Sequence, residues 1–285
     1  MKRHVGFGAV LLGTFLSATL ATVLATASAQ TEIRLGYQRG DFATVVIEQG
    51  LLETRFGPDV TVTWTLFTSG PPMLEALAAG SIDFARTGDT PPIFAQAART
   101  PFVYAGAQQA VTREAIVVPE GSDVESVADL AGRNLAFSPG SSANLFAVQV
   151  LEIEGLTLDD VESVPLQPAD ARAAFQGGNL DAWVIWDPFL TAAVQELGAQ
   201  TLLSRADLKT EYRWFYLASQ PFTDTHPELL SAVLTQVQTA TGWVRDNPDG
   251  FAGLLTAETG GEDAPTGNTD LSAIDVLETQ LEEAR

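Results

Sequence analysis

The segment Ala169–Leu190, with the sequence ADARAAFQGGNLDAWVIWDPFL, decides the fold. A helical run in it ends at the two glycines 177 and 178. A buried-strand pattern then runs from Ala182 to Ile185 and stops at Trp186-Asp187-Pro188. Open α/β sheets bind their ligands beyond the carboxyl ends of their strands. The segment therefore places an aromatic ring and a carboxylate where we expect a ligand site.

The same order of strand, loop and helix precedes this segment. Strand patterns at 33–37, 60–66 and 82–85 each lead through a short polar loop into a helical pattern. This alternation predicts an α/β protein with mainly parallel sheets flanked by helices. Right-handed crossovers then bring the strand-to-helix loops to one rim of the sheet.

A second α/β block begins after the apolar strand pattern at 115–119, and another strong strand pattern lies at 214–219. We interpret these two segments as hinge strands that cross between two lobes. Lobe I is predicted to hold residues 30–114 and 220–285, and lobe II residues 115–219. At the end of the chain, we expect a loop at 260–269 and a helix at 271–285, from the spacing of its leucines and isoleucine.

The N-terminus has the pattern of an export signal. Lys2, Arg3 and His4 precede a mostly apolar run, and Ala27-Ser28-Ala29 fits the small-x-small cleavage site. The run is long enough to be a membrane anchor, but its Gly, Ser and Thr content and the cleavage site favour removal. We therefore predict a signal peptide over residues 1–29 and a periplasmic protein. The lack of cysteine excludes a lipoprotein anchor.

Charge and composition exclude several classes of function. The formal net charge is −21, and Lys209 is the only lysine beyond Lys2. Nucleic-acid binding needs clustered cations that displace counterions, so it is excluded. The acidity is explained most simply by solubility. With no cysteine in the chain, disulfides and thiolate metal sites are excluded too.

Short polar loops provide candidate ligand contacts. In Ser138–Asn144 a glycine and two hydroxyls precede a helix, whose free amides and positive dipole end favour anions. The alternative is that Ser141 or Ser142 only caps that helix. Trp186 either stacks on a ligand or is a ring of the core. Asp187 either forms a hydrogen bond to a ligand or caps the next helix. Asp89 and Thr90 likewise either contact a ligand or cap the helix that follows them.

Catalysis has little support in the sequence. His226 is the only histidine beyond the N-terminal segment, and it precedes Pro227 without a base and nucleophile set around it. The chain has neither a G-x-S-x-G elbow nor a phosphate loop or His-rich metal spacing. We therefore expect a binding protein with no catalytic residue, metal or cofactor.

Several motifs together resemble those of periplasmic substrate-binding proteins of the aliphatic sulfonate, taurine and nitrate class of ABC importers, above all the alkanesulfonate binders. They are IRLGYQRG (33–40), PMLEALAAGSID (72–83), TGDTPPIFAQA (87–97), SVADLAG (126–132) and the opening segment. The resemblance implies the two-lobed periplasmic binding protein fold (type II), with a small anionic ligand in the interlobe cleft. It further implies delivery to ABC permease subunits, and we expect a monomer.

The resemblance and the rim argument select the same ligand-binding residues: Gln38, Arg39, Gly40, Ser69, Gly70, Asp89, Thr90, Ser141, Ser142, Asn144, Trp186 and Asp187. Asn144 and Arg86 depart from the family pattern, so one contact is expected to differ and a cation is added beside the pocket. An alternative ligand is a thiamine-precursor pyrimidine or another aromatic heterocycle, stacked by Trp186, Trp64 and Tyr37. An enzyme on the same fold is the third hypothesis.

Overall fold

The structure is a computed structural model that describes residues 31–110, 114–208, 212–259 and 271–276. The predicted signal peptide, 1–29, and the predicted loop at 260–269 lie outside these residues. Within them we find no helix with the length and apolarity that a membrane crossing requires.

In the described part of the chain, eleven strands form two separate sheets. They are β1 Thr31–Gln38, β2 Val60–Phe67, β3 Phe84–Thr87, β4 Phe102–Ala110, β5 Glu114–Val118, β6 Asn134–Phe137, β7 Glu162–Pro165, β8 Ala182–Trp186, β9 Gln200–Ser204, β10 Arg213–Ser219 and β11 Leu271–Val276. Six of them make one sheet in the order β11-β4-β10-β3-β1-β2, and five make the other in the order β7-β6-β8-β5-β9. We call the part around the six-stranded sheet lobe I and the part around the five-stranded sheet lobe II.

Among the residues that the structure describes, ten α-helices flank the sheets. They are α1 Ala43–Glu48, α2 Leu51–Phe56, α3 Gly70–Ala78, α4 Thr90–Ala97, α5 Ser142–Ile153, α6 Pro168–Gln176, α7 Phe189–Leu197, α8 Gln220–Thr225, α9 Pro227–Asp246 and α10 Pro248–Thr259. Most begin directly after a strand, as the sequence pattern predicts. The run after residue 43 is two helices because Gly50 adopts a left-handed φ of 56°, which ends a right-handed helix.

Each sheet is mixed, whereas the strand–helix alternation predicts mainly parallel sheets. β1 pairs in parallel with β2 and β3, but β10 runs antiparallel to β3 and β4. In lobe II, β6 is parallel to β7 and β8, but β5 is antiparallel to β8 and β9. Parallel pairing is expected of strands that a crossover helix connects. β5 is instead the first strand after the chain passes into lobe II, and β10 is the first after it returns to lobe I.

The chain changes sheets at two places. It passes from β4 to β5 between residues 110 and 114, and it returns to β10 between residues 208 and 213. β5 lies wholly in the five-stranded sheet and β10 wholly in the six-stranded one, so residues 213–219 belong with lobe I. The chain therefore changes sheets just before β5 and again just before β10, the two strands that were expected to cross between the lobes. That these two segments act as hinges stays a prediction.

Three strands and the chain end differ from the sequence-based expectation. β4, β7 and β9 have no clear alternating pattern and were not predicted. The predicted helix at 271–285 is wrong for residues 271–276, which form β11 antiparallel to β4. Over so short a run, apolar residues three positions apart occur in strands as well as in helices. The edge of β4 is also available to pair with residues 271–276. Residues 277–285 lie outside the described part.

Both faces of the lobe II sheet are covered by apolar side chains. On one face, Phe146 of α5 packs with Ile116, Leu135 and Val184. On the other, Trp183 packs against Phe175 of α6. Trp183 is 1% exposed, as the buried-strand pattern from Ala182 to Ile185 predicts. These layers fix the start of α5 and the end of β8, where the candidate site lies.

Two phenylalanines of similar helical setting test this packing. Phe146→Ala removes a fully buried ring, and we expect a loss of about 3–5 kcal/mol in the free energy of unfolding. Phe94→Ala, at a ring that is 57% exposed, is the matched control. Urea denaturation measures both variants. Equal losses would contradict the assignment of Phe146 to the lobe II core.

Candidate ligand-binding cleft

A cavity of about 230 Å³ lies between the ends of strands from both sheets. Lobe I contributes the ends of β1 and β2, and lobe II contributes the end of β8 with the starts of α6 and α7. The lining residues are Gln38, Arg39, Leu66, Phe67, Thr68, Pro168, Ala169, Trp186 and Phe189. Apolar side chains form much of the wall, and Arg39 adds a cation. The cavity can therefore take a small molecule with an apolar and an anionic part.

Beside the cavity, hydroxyl groups of both lobes point at one oxygen atom. Thr68 Oγ1 and Ser69 Oγ donate to Oε1 of Gln167 at 3.0 and 2.9 Å. Ser138 Oγ of lobe II lies 3.4 Å from the same Oε1. Gln167 is the residue immediately before α6. This convergence, which we call the hydroxyl cluster (Thr68, Ser69 and Ser138), suits an oxygen acceptor that carries partial or full negative charge.

Glycines allow the rims of the two lobes to approach closely. A Cβ at Gly40 would lie 3.0 Å from Cδ of Pro188 and 3.3 Å from the carbonyl oxygen of Asp187. A Cβ at Gly88 would collide with the hydroxyl of Tyr212. Gly40 of lobe I therefore lies directly against Asp187 and Pro188 of lobe II.

The predicted site residues divide into those that line the cavity and those around it. Gln38, Arg39 and Trp186 line it, and Ser69 belongs to the hydroxyl cluster. Gly70 abuts Pro91 of the neighbouring helix. Thr90 donates its hydroxyl hydrogen to Asp89 at 2.9 Å. The roles of these residues as ligand contacts stay predictions.

At the start of α5, the backbone amides are more available to a ligand than the two serine hydroxyls are. Ser141 Oγ donates to the carbonyl of Ser138 at 2.6 Å, and Ser142 Oγ donates to Glu114 at 3.0 Å. Asn144 accepts a hydrogen bond from the amide of Gly140. The side chain of Ser141, the N-cap residue, makes no capping hydrogen bond. The first-turn amides therefore lack the side-chain cap that many helices have, which favours a role in anion binding.

Asp187 caps a helix, the structural alternative considered for it. Its Oδ1 accepts from the amide of Thr191 at 3.0 Å and from the Thr191 hydroxyl at 2.7 Å. Trp186 is half-buried at the cavity wall instead. Of the two adjacent residues, the tryptophan faces the cavity, and the carboxylate stabilises α7.

Arg86 is held by an internal ion pair. Its Nη1 lies 2.7 Å from Oδ1 of Asp41, and its guanidinium stacks on Trp214 at 3.8 Å and Phe42 at 4.6 Å from the ring centroids. Arg86 is thus a buried neighbour of the pocket loops, and Arg39 is the arginine that lines the cavity.

The aromatic residues considered for stacking on a heterocycle lie in different places. Trp186 lines the cavity. Tyr37 and Trp64 contact each other edge to face at 6.0 Å, and Trp64 packs against the lobe I core. The three rings therefore do not form one stacking surface, which weakens the aromatic-heterocycle alternative.

A buried ion pair adjoins the start of α5. Glu114 is fully buried, and its carboxylate is paired with the guanidinium of Arg205. Burial raises the pKa of Glu114, and the charge of Arg205 opposes that rise. Burial likewise raises the pKa of Tyr212 far above its usual range, helped by the nearby charge of Glu114. Glu114, Arg205 and Tyr212 thus form a buried group in an environment of low dielectric, close to the predicted anion site.

Sequence reasoning missed Gln167, Phe189, Glu114, Arg205 and Tyr212. Gln167 had a usable signal, because it directly precedes Pro168, and proline favours the first turn of a helix. That signal was lost with strand β7, whose four residues lack a strong pattern. Glu114 and Arg205 are 91 positions apart, so only the folded sheet brings them together.

Two sheet-centred lobes with a ligand-sized cavity between their strand ends define the class of two-lobed periplasmic binding proteins. Within that class, the model of the family described as NMT1/THI5 like matches residues 68–251, which is well over half of the chain. The protein belongs to this family.

Individual relatives agree with the family assignment. A protein of Escherichia coli (strain K12), whose name is that of an aliphatic sulfonates-binding protein, is 41% identical over 256 residues, covering 89% of this chain and 79% of its own. The alkanesulfonate-binding protein SsuA from Xanthomonas axonopodis pv. citri, solved bound to MOPS, superposes with a TM-score of 0.80 at 33% identity and 89% coverage of both chains. The periplasmic aliphatic sulphonate binding protein SsuA from Escherichia coli gives a TM-score of 0.71 at 37% identity, covering 89% and 90%.

The contact at Gly40 can be tested with a matched pair of glycines. Gly40 and Gly121 both have left-handed φ, 80° and 73°, so alanine strains the backbone at each by about 1 kcal/mol. A Cβ at Gly121 has open space, whereas one at Gly40 meets Pro188 of the other lobe. We expect Gly40→Ala to lower the urea midpoint more than Gly121→Ala does. Equal midpoints would show that the Gly40 contact is not close.

Proposed function

We propose that this protein is the solute-binding protein of an ABC importer and captures aliphatic sulfonates in its interlobe cleft. Taurine and nitrate belong to the same group of small oxyanions and are the related candidates. The protein would be exported through its N-terminal signal, bind its ligand in the periplasm as a monomer, and deliver it to the permease subunits.

The observation that carries this proposal is the pairing of an apolar cavity with the hydroxyl cluster. A sulfonate has an apolar tail and a head of oxygens that share one negative charge. The tail suits the wall formed by Leu66, Trp186 and Phe189. The head suits Arg39, and one of its oxygens would take the place of Oε1 of Gln167 as the acceptor of the hydroxyl cluster, whose donors come from both lobes.

The same arrangement supports closure around the ligand. Thr68 and Ser69 belong to lobe I, whereas Ser138 belongs to lobe II. A head group that accepts from both sets gains its full binding energy only when the lobes are together. A ligand shifts a conformational equilibrium toward the state that it binds more tightly, so sulfonate binding would favour the closed form.

The acidity of the chain does not oppose anion binding. Its formal net charge is −21, but charges farther apart than the Debye length, about 8 Å at physiological salt, are largely screened in water. Arg39, the hydroxyls and the first-turn amides of α5 act at hydrogen-bond distance. We therefore expect salt to change the association rate more than the bound geometry.

The relatives support binding without turnover. The protein from Escherichia coli and the one from Xanthomonas axonopodis are both named for binding sulfonates. MOPS, bound in the latter, itself carries a sulfonate group. In our structure His226 precedes α9 and its ring contacts Phe222, in keeping with a structural role. We infer that no bond of the ligand is made or broken.

Isothermal titration calorimetry with a ligand panel tests the proposal. We expect heat of binding with ethanesulfonate, longer alkanesulfonates or taurine, and none with 1-propanol, which keeps the apolar tail without the charge. Nitrate and sulfate distinguish a sulfonate site from a site for bare oxyanions. If none of these anions binds, the proposed function is wrong.

Arg39 provides a test within the site. Arg39→Gln removes the cation from the cavity wall, and a hydrogen bond to a charged group contributes about 1.5–3 kcal/mol. We therefore expect sulfonate affinity to fall about 10- to 100-fold. Arg172→Gln is the control, because Arg172 pairs with Glu196 on the surface of lobe II. Similar affinities for the two variants would remove Arg39 from the site.

A further inference from the structure

A fully buried carboxylate stands directly behind the candidate anion site. Glu114 is the first residue of β5, and its register partner on β8 is Trp186, which lines the cavity. Its Oε1 accepts the hydroxyl hydrogen of Ser142, in the first turn of α5. Glu114 itself does not line the cavity. A negative charge is thus one residue away both from the cavity wall and from the amides predicted to bind an anion.

Arg205 contacts Glu114 and the start of α5, but it does not line the cavity. Its Nε donates to Oε2 of Glu114, and its Nη2 donates to the carbonyl oxygen of Ser142 at 3.0 Å. Its guanidinium carbon lies 4.8 Å from the ring centre of Phe146 and 5.2 Å from that of Tyr212. The side chain is 4% exposed. Arg205 is therefore fixed between the carboxylate and the start of α5.

The charge balance of this group affects an anionic ligand. Without Arg205, an ionised Glu114 would repel an anion through a medium of low dielectric. At a separation of about 8 Å and an effective dielectric constant of about 20, two unit charges interact strongly enough to change a binding constant more than tenfold. The other groups that face Glu114 are the hydroxyls of Ser142 and Tyr212 and the carboxylate of Asp89, and none of these supplies a positive charge.

We propose that Arg205 is a positioning residue that masks the charge of Glu114, so that the cleft accepts anions, and holds Ser142 at the start of α5. The proposal rests on the proposed function, since it concerns the affinity of the same site for sulfonates. Arg205 acts through Glu114 and Ser142 and does not touch the ligand.

Charge masking predicts a particular order of affinities for ethanesulfonate in calorimetry. Arg205→Met leaves Glu114 unpaired and should weaken binding about tenfold or more at about pH 8. The double variant Glu114→Gln with Arg205→Met removes both charges and should return to within about threefold of the original affinity, because an ion pair can be replaced as a unit without leaving a buried charge. Glu114→Gln alone leaves Arg205 unneutralised and should bind at least as tightly as the original protein.

The pH dependence gives a second readout that a merely structural role would not change. In Arg205→Met, Glu114 loses its partner and, being buried, takes up a proton as the pH falls. Its repulsion then disappears, so the affinity of this variant should be higher at about pH 5.5 than at about pH 8. Where Arg205 is present, its charge opposes the uptake of a proton by Glu114, so affinity should change less over this range than it does in Arg205→Met.

Arg172→Met, which breaks an exposed ion pair of the same lobe, is the matched control and should leave affinity unchanged at both pH values. Thermal denaturation without ligand checks that each variant folds. Should Arg205→Met fail to fold, Glu114→Gln decides, and weaker binding there overturns the proposal.

Equal weakening in Arg205→Met and in the double variant would mean that the pair only maintains the structure, and it also overturns the proposal. Unchanged binding in Arg205→Met does the same. An original protein that binds none of the anions in the panel is a separate result. It refutes the proposed function and, with it, this inference.

Discussion

The hydrogen bonds that converge on Oε1 of Gln167 join the two lobes beside the cavity. Thr68 and Ser69 donate from the end of β2, and Ser138 approaches from the end of β6. Each donor follows a strand directly, so the positions of the three hydroxyls are set by two separate sheets. The cluster is complete only when the sheets hold their present relation. Ligand affinity and lobe closure therefore depend on the same few atoms.

Each lobe places one buried ion pair behind the cleft. In lobe I, Arg86 pairs with Asp41 between the rings of Phe42 and Trp214. In lobe II, Arg205 pairs with Glu114 against Phe146. Burial of a lone charge costs several kcal/mol, and a partner offsets that cost only in good geometry. The aromatic faces add a favourable cation–π contact. A chain with few cations thus uses two of its arginines to neutralise acids near the site.

The sequence predicted the parts of the fold that local pattern determines. Strand β2 alternates in β-branched residues, so it was predicted close to its observed bounds. The rim loops followed from the strand–helix order. β7 and β9 were missed because short strands are stabilised by their neighbours rather than by their own pattern. A strand pattern does not reveal which sheet the strand joins, so the sequence could not show that β10 pairs in the six-stranded sheet.

The candidate site was predictable where side chains follow a strand and not where they arrive from a distance. Gln38 and Trp186 end β1 and β8, Arg39 directly follows β1, and all three line the cavity. The hydroxyls of Ser141 and Ser142 were expected to meet the ligand, yet they donate to Ser138 and Glu114. Their acceptors lie across the fold or one turn back, which residue spacing does not show. If the α5 start binds an anion, its backbone amides are therefore the better donors, because a buried carboxylate holds the hydroxyl hydrogen of Ser142 and a carbonyl of the same loop holds that of Ser141.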